Sequence, residues 1–130
     1  MIVGYAYVVG DILHFGHIQH LRNCKGLCDK LIVGVLTDEA VMERKPKPTI
    51  AFGERIRLVA ELKSVDAVVA QETYSPHDNV EAIRPDILFE STSHEKPYWN
   101  HHGKTIMMPY YPAQSSSKIK GEVKKQCFER

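Results

Sequence analysis

The sequence predicts an α/β domain: a five-stranded parallel sheet sandwiched between two helical layers. Two observations carry this. Short apolar runs rich in valine and isoleucine recur along the 130 residues, separated by stretches with apolar residues at helical spacing. Strands that alternate with helices in this way pair in parallel, and both faces of such a sheet are covered.

The elements follow in order. Ile2 to Val9 is apolar and reads as a strand buried on both faces. A helix follows from about Gly16 to Leu27, with Ile18, Leu21 and Cys24 on one face. Lys30 to Leu36 (KLIVGVL) is a second strand, and Thr37 or Asp38 can cap a short helix behind it. Arg44 to Phe52 is a loop, because Pro46 and Pro48 stop a helix. Gly53 to Lys63 is helical, with Ile56, Val59 and Leu62 facing inward. Ala67 to Gln71 forms a third strand. Ser75 caps, and Pro76 opens, a helix running to about Arg84. Asp86 to Glu90 is a fourth strand, Ser91 to Gly103 a polar loop, and Thr105 to Tyr110 a fifth strand. The serines of SSSKIKGEVKKQCFER cap a final helix.

Composition narrows the function classes. The formal net charge is +1, so no bulk field draws in nucleic acid or anionic membrane. No apolar run approaches the roughly 20 residues that span a bilayer. The opening MIVGYAYVVG lacks a basic leader and is expected to be a strand, not a signal peptide. Cys24, Cys28 and Cys127 make no even disulfide framework, and thiols of this kind point to the cytoplasm. The expectation is one domain, residues 1–130.

Chemistry concentrates in DILHFGHIQH, Asp11 to His20, where the first strand hands over to the first helix. In parallel sheets the ligand crevice lies beyond the carboxyl ends of the strands. A helix N-terminus there offers amide donors and partial positive charge to a phosphate. Gly16 lets a nucleotide approach the backbone, and imidazolium donors on His14 and His17 suit the charge on phosphoryl oxygens. Taken alone, H-x-G-H also fits two histidines that merely cap or pack the turn. A zinc site is the weakest reading, since no third ligand is obvious.

The wider pattern resembles the H-x-G-H nucleotidyltransferase superfamily. The D-x-x-H-x-G-H core, DKLIVGVLTDE, GERIRLV, SVDAVV and the late SSSKI stand in that family's order. The likeness is closest to the cytidylyltransferases of glycerol 3-phosphate, phosphoethanolamine and phosphonates. It implies a Rossmann-like three-layer fold and transfer of a nucleotidyl group from a triphosphate to a phosphate or phosphonate acceptor. Magnesium takes part and pyrophosphate is released. Small members of the family often pair, so a homodimer is expected.

The resemblance also implies roles. His14, His17 and Lys45 are the catalytic residues, the histidines stabilising charge at the α-phosphorus. Val9, Gly10, Asp11, Gly16 and Lys47, with Ser115, Ser116 and Ser117 of the late helix, hold the nucleotide. Arg55, Thr92 and Tyr110 meet the acceptor. The basic run Arg44–Lys45–Lys47 would clamp the triphosphate, although by itself it is also an ordinary solvated loop. Arg57 is expected to pair on the helix surface, and Lys118 either adds charge or is exposed.

Three departures stand out. Val8-Val9-Gly10 replaces a glycine, small residue and aromatic before the signature aspartate. Ser91-Thr92-Ser93 replaces an acidic turn after strand four, and Tyr110 stands where arginine would. Without those carboxylates the turn repels an anionic acceptor less, which favours a compact, doubly charged phosphate or phosphonate. His94, His101 and His102 beside Trp99 either line the acceptor site, bind a metal or sit in a solvated loop. The reading reached is a CTP-dependent cytidylyltransferase. An ATP-dependent adenylyltransferase and a catalytically silent nucleotide-binding module are the alternatives.

Overall fold

The computed structural model describes residues 1–92 and 96–109. Five strands form one sheet: β1 (Val3–Val8), β2 (Lys30–Leu36), β3 (Ala67–Gln71), β4 (Ile87–Ser91) and β5 (Lys104–Met108). Their order is β3-β2-β1-β4-β5, and every pairing is parallel. The chain builds outward from β1 to β3, then crosses back to place β4 on the other side of β1. The carboxyl ends of β1 and β4 therefore flank the point where the winding reverses, which is where ligands of open α/β sheets bind.

Four helices lie between the strands: α1 (Phe15–Lys25), α2 (Asp38–Met42), α3 (Phe52–Ala60) and α4 (His77–Ile83). β2 and β3 span the residues the sequence indicates, because their apolar runs end at polar residues. α1 stops at Lys25, short of Leu27, where the Gly26 amide turns back to the Arg22 carbonyl. α4 begins at His77 rather than at the proline, and Ser75 Oγ accepts from the His77 amide at 3.3 Å. Thr37 caps α2, its side chain accepting from Ala40 N at 3.1 Å. The final helix, with Tyr110, Ser115, Ser116, Ser117, Lys118 and Cys127, lies outside the described residues. So do Ser93 and His94.

Strand alternation sorts the core into two faces. On one, Ala6, Leu31, Val33, Val35 and Phe89 pack against Leu21 and Cys24 of α1 and Val59 of α3. Ile56 and Leu62 join them from the rim. On the other, Tyr5 and Leu88 pack against Val80 and Ile83 of α4 and against Tyr98 of the β4–β5 connection. That second face also holds a polar network. Tyr5 Oη donates to Gln71 Oε1 at 2.6 Å, and Asn79 Nδ2 donates to Tyr5 Oη at 2.9 Å. Burial raises the Tyr5 titration far above the usual phenol range, so the hydroxyl stays protonated.

Gly34 makes the network possible. A Cβ there would lie 1.8 Å from Tyr5 Oη and 3.0 Å from Gln71 Oε1. Gly34→Ala should therefore cost about 3 kcal/mol, the scale of an overpacked core. Urea unfolding of the variant measures it; an unchanged midpoint contradicts the account.

Candidate functional site

The turn after β1 is held in an uncommon backbone. Gly10 lies at φ +72° and Ile12 at φ +58°. A β-branched residue in the left-handed region is an outlier that costs on the order of 1–3 kcal/mol. The surroundings impose it. Gly10 is buried, and a Cβ there would come within 3.2 Å of Val59. Glycine is the residue this turn requires.

Asp11 is likewise buried, at 5% exposure. Its two carboxylate oxygens accept from Thr49 N and Ile50 N, each at 2.9 Å. The residue expected at the nucleotide instead anchors the carboxyl end of the basic loop. The reason is geometric: two adjacent loop amides meet one carboxylate from the strained turn.

Arg55, expected at the acceptor, is fully buried, and its donors face the protein. Its Nε donates to the Ile50 carbonyl at 2.8 Å, and one terminal nitrogen donates to the Val9 carbonyl. The other pairs with Asp38 at 2.7 Å. Arg55 thus ties β1, the basic loop and α2 together, and Val9 enters the site as a carbonyl held from behind.

His14 and His17 do meet. His14 is the N-cap of α1, and its Nδ1 accepts from Gly16 N at 3.0 Å. His17 reaches back, its Nδ1 accepting from His14 N at 3.3 Å. This is a capping box in which histidines play both parts. The ring centroids lie 4.1 Å apart. An Nδ1 that accepts carries no proton, so each neutral ring bears its proton on Nε2. The Gly16 amide, expected to be free for phosphate, is taken by this cap.

Burial lowers both histidine titrations. His17 falls to about 4, chiefly through burial, with His14 and His20 opposing a further positive charge. His14 falls through burial. The rings are therefore neutral near pH 7, and the donors offered to a ligand are imidazole N–H groups rather than imidazolium.

The basic loop is exposed at Arg44, Lys45 and Lys47. The Arg44 guanidinium lies 4.8 Å from the centre of the Tyr74 ring, and Lys45 Nζ lies 6.0 Å from it. Thr92 is exposed just beyond β4, its amide donating to the Met108 carbonyl at 3.1 Å.

His101 and His102 stand elsewhere. The connection returns to the amino end of the sheet, where Asn100 Nδ2 donates to the Pro85 and Lys104 carbonyls at 2.9 and 3.2 Å. His102 Nε2 lies 3.1 Å from Glu81 of α4. Neither histidine lines the crevice, because a parallel fifth strand must start at the opposite edge. Among the described residues, no three His, Cys, Asp or Glu side chains could hold a metal ion. Cys24 and Cys28 are free, and burial pushes the Cys24 thiol up to about 12, so it is no nucleophile.

Two residues at this edge escape motif reading. Glu90 is the penultimate residue of β4 and is fully buried. It accepts from the Tyr7 hydroxyl and, at 2.7 Å, from Tyr98 N. Burial, then the adjacent carboxylate, holds Tyr7 protonated well above the phenol range. The sequence signal is an acid that closes the apolar run Ile87-Leu88-Phe89.

Residues 10–129 match the family described as cytidylyltransferase-like. The chain belongs to that family. Among curated relatives, the bifunctional protein HldE of Methylobacillus flagellatus is 32% identical over 120 residues, 84% of this chain and 24% of its own length. HldE of Helicobacter pylori is 34% identical over 122 residues, 90% of this chain and 26% of its own length. The chain thus spans about a quarter of these relatives. A lipopolysaccharide core biosynthesis protein of Thermoplasma volcanium superposes with TM-score 0.76 at 27% identity, covering 85% of this chain and 98% of that one. A pantoate–β-alanine ligase of Francisella tularensis superposes with TM-score 0.56 at 13% identity, covering 92% of this chain and 67% of that one, a likeness of fold alone.

The depressed histidines couple stability to pH. A histidine whose folded titration lies below its unfolded value, about 6.5, favours the folded state above pH 6.5. That contribution is lost as pH falls toward 4, where unfolding takes up the proton more readily. His17→Gln should flatten the acid limb by on the order of 2 kcal/mol between pH 6.5 and 4. Urea midpoints across that range test it; parallel curves for the two proteins contradict it.

Proposed function

We propose that this protein transfers a nucleotidyl group from a nucleoside triphosphate to a small acceptor bearing a phosphate or phosphonate. The His14–His17 capping box is the observation that carries this. It puts two neutral imidazoles, each with Nε2–H to donate, at a helix N-terminus beside the switch point of the sheet. An acceptor oxygen attacks the α-phosphorus while the bond to pyrophosphate breaks. That oxygen is already an anion, so no base removes a proton. The work is positioning and charge neutralisation, and Lys45 and Lys47 would neutralise the departing phosphates.

Magnesium fits as a passenger on the triphosphate, since the described residues offer it no cage. It would supply charge neutralisation there. The motif pattern suggests CTP, whereas the likeness to HldE favours ATP. The likeness to a lipopolysaccharide core biosynthesis protein supports a sugar phosphate as acceptor. Thr92 is exposed just beyond β4, which is compatible with a contact to that acceptor.

Pyrophosphate release, measured over four nucleoside triphosphates crossed with sugar phosphates, alcohol phosphates and phosphonates, tests the reading. ATP with a sugar phosphate should give the fastest turnover. His14→Ala and His17→Ala should each lower it by about a hundredfold or more, the scale of a lost charge-stabilising donor. A His17→Ala variant with near-normal turnover overturns the assignment. Nucleotide binding with no release from any pair would leave a silent binding module.

We infer further that the protein pairs with a second copy, because a small domain with one crevice gains buried area by doing so. Light scattering should return twice the 14.8 kDa chain mass. A monomer at working concentration ends this idea.

A further inference from the structure

Tyr74 lies on the connection that leaves β3, outside every motif of the site. Three consecutive residues, the C-cap Glu43 of α2 and the first two residues of the basic loop, nonetheless converge on it. Glu43 Oε2 accepts from Tyr74 N at 3.1 Å. The Arg44 guanidinium sits over the ring at 4.8 Å, and Lys45 Nζ stands at 6.0 Å. Both cations fall within the reach of the ring's quadrupole, about 6 Å.

The ring itself is held. Buried Gln71 donates from Nε2 to the Thr73 and Tyr74 carbonyls, each at 3.2 Å. The ring packs on Leu36, Ala40 and Val41, the cluster that Tyr7 and Val9 also touch. Tyr74 thus belongs to the carboxyl edge of the sheet, beside the site and not across the molecule from it.

The far end of the loop is pinned as well, by Asp11 on the amides of Thr49 and Ile50. Between the two pins run Pro46, Lys47 and Pro48, a stretch whose prolines restrict its backbone. The backbone at this end is tied to α2, the Arg44 and Lys45 amides donating to the Val41 carbonyl at 3.1 and 2.9 Å, but without the ring the two long cationic side chains would lose the surface that orders them. Ordering them on ligand binding would then cost affinity.

We propose that Tyr74 is a positioning residue: its ring presets Arg44 and Lys45, so that the basic loop meets a triphosphate already ordered. This rests on the reading that Lys45 contacts the triphosphate. The ring acts through the cations and touches no substrate. The hydroxyl is not needed; the aromatic face is.

Inorganic tripolyphosphate, titrated calorimetrically into the full chain, is the probe. Tyr74→Leu keeps apolar bulk and removes the π face; it should weaken binding about fivefold, the scale of an exposed cation–π contact. Tyr74→Phe keeps the face and should bind as the parent does. In a Lys45→Ala background, Tyr74→Leu should cost clearly less than it does alone, because half of what the ring orders is gone. A ring that only stabilised the fold would give equal losses in both backgrounds and no rescue by phenylalanine.

Several results overturn the proposal. These are undiminished binding by Tyr74→Leu, equal loss in Tyr74→Phe, or full additivity with Lys45→Ala. Arg44→Met breaks the same contact from the loop side and decides the matter should Tyr74→Leu not fold; no loss there also overturns it. If Lys45→Ala itself binds tripolyphosphate normally, the triphosphate reading of the loop fails first, and the ring has no cation to present.

Discussion

A guanidinium without solvent contact joins the pieces from which the site is built. Arg55 sits on α3, yet its hydrogen bonds reach the end of β1, the basic loop and the start of α2. These segments come from different stretches of the chain, around Val9, Asp38 and Ile50. A buried guanidinium is costly unless its donors are met. Its partners are two carbonyls and one carboxylate, and each belongs to a segment bordering the crevice. The charge is tolerated because the partners converge, and they are held in place because the charge is there. Asp11 repeats the device from the other side, binding two loop amides with one carboxylate.

On that frame the histidine pair does two jobs with different nitrogens. The Nδ1 atoms satisfy backbone amides that a helix start would otherwise leave open. The same bonds fix the tautomer, and so put the proton on Nε2. Burial keeps both rings neutral, so each can donate only from Nε2. The capping geometry of H-x-G-H is thus compatible with the proposed catalytic role.

The opposite face of the sheet shows why the crevice edge is stiff. Tyr7 and Glu90 bridge β1 and β4 directly under the switch point, and Tyr98 closes the pair from the β4–β5 connection. Among the described residues of that connection there is no helix, and the buried Glu90 carboxylate ties it to the sheet. Tyr5, Gln71 and Asn79 continue the network toward β3.

The strand order of events was legible in the sequence. Apolar runs such as KLIVGVL and AVVAQ have one stable fate in a chain of alternating elements, and β2 and β3 occupy those residues. The junction of β1 and α1 that carries H-x-G-H was legible too, since the motif directly follows the first apolar run. The fates of Asp11 and Arg55 were not, because charge and motif position look the same whether a side chain faces ligand or backbone. Likewise the sequence left open whether His101 and His102 line the site or sit in a solvated loop, and the return of the connection to the sheet's amino end places them away from the crevice. Tyr74 carried no signal at all; only folding brings it against Arg44. By itself, then, the sequence determined the elements, their alternation and the turn where chemistry gathers, for these depend on local periodicity and chain order. Tertiary structure alone decided which charged groups face a ligand and which hold the frame, because burial and hydrogen-bond partners come from segments distant along the chain.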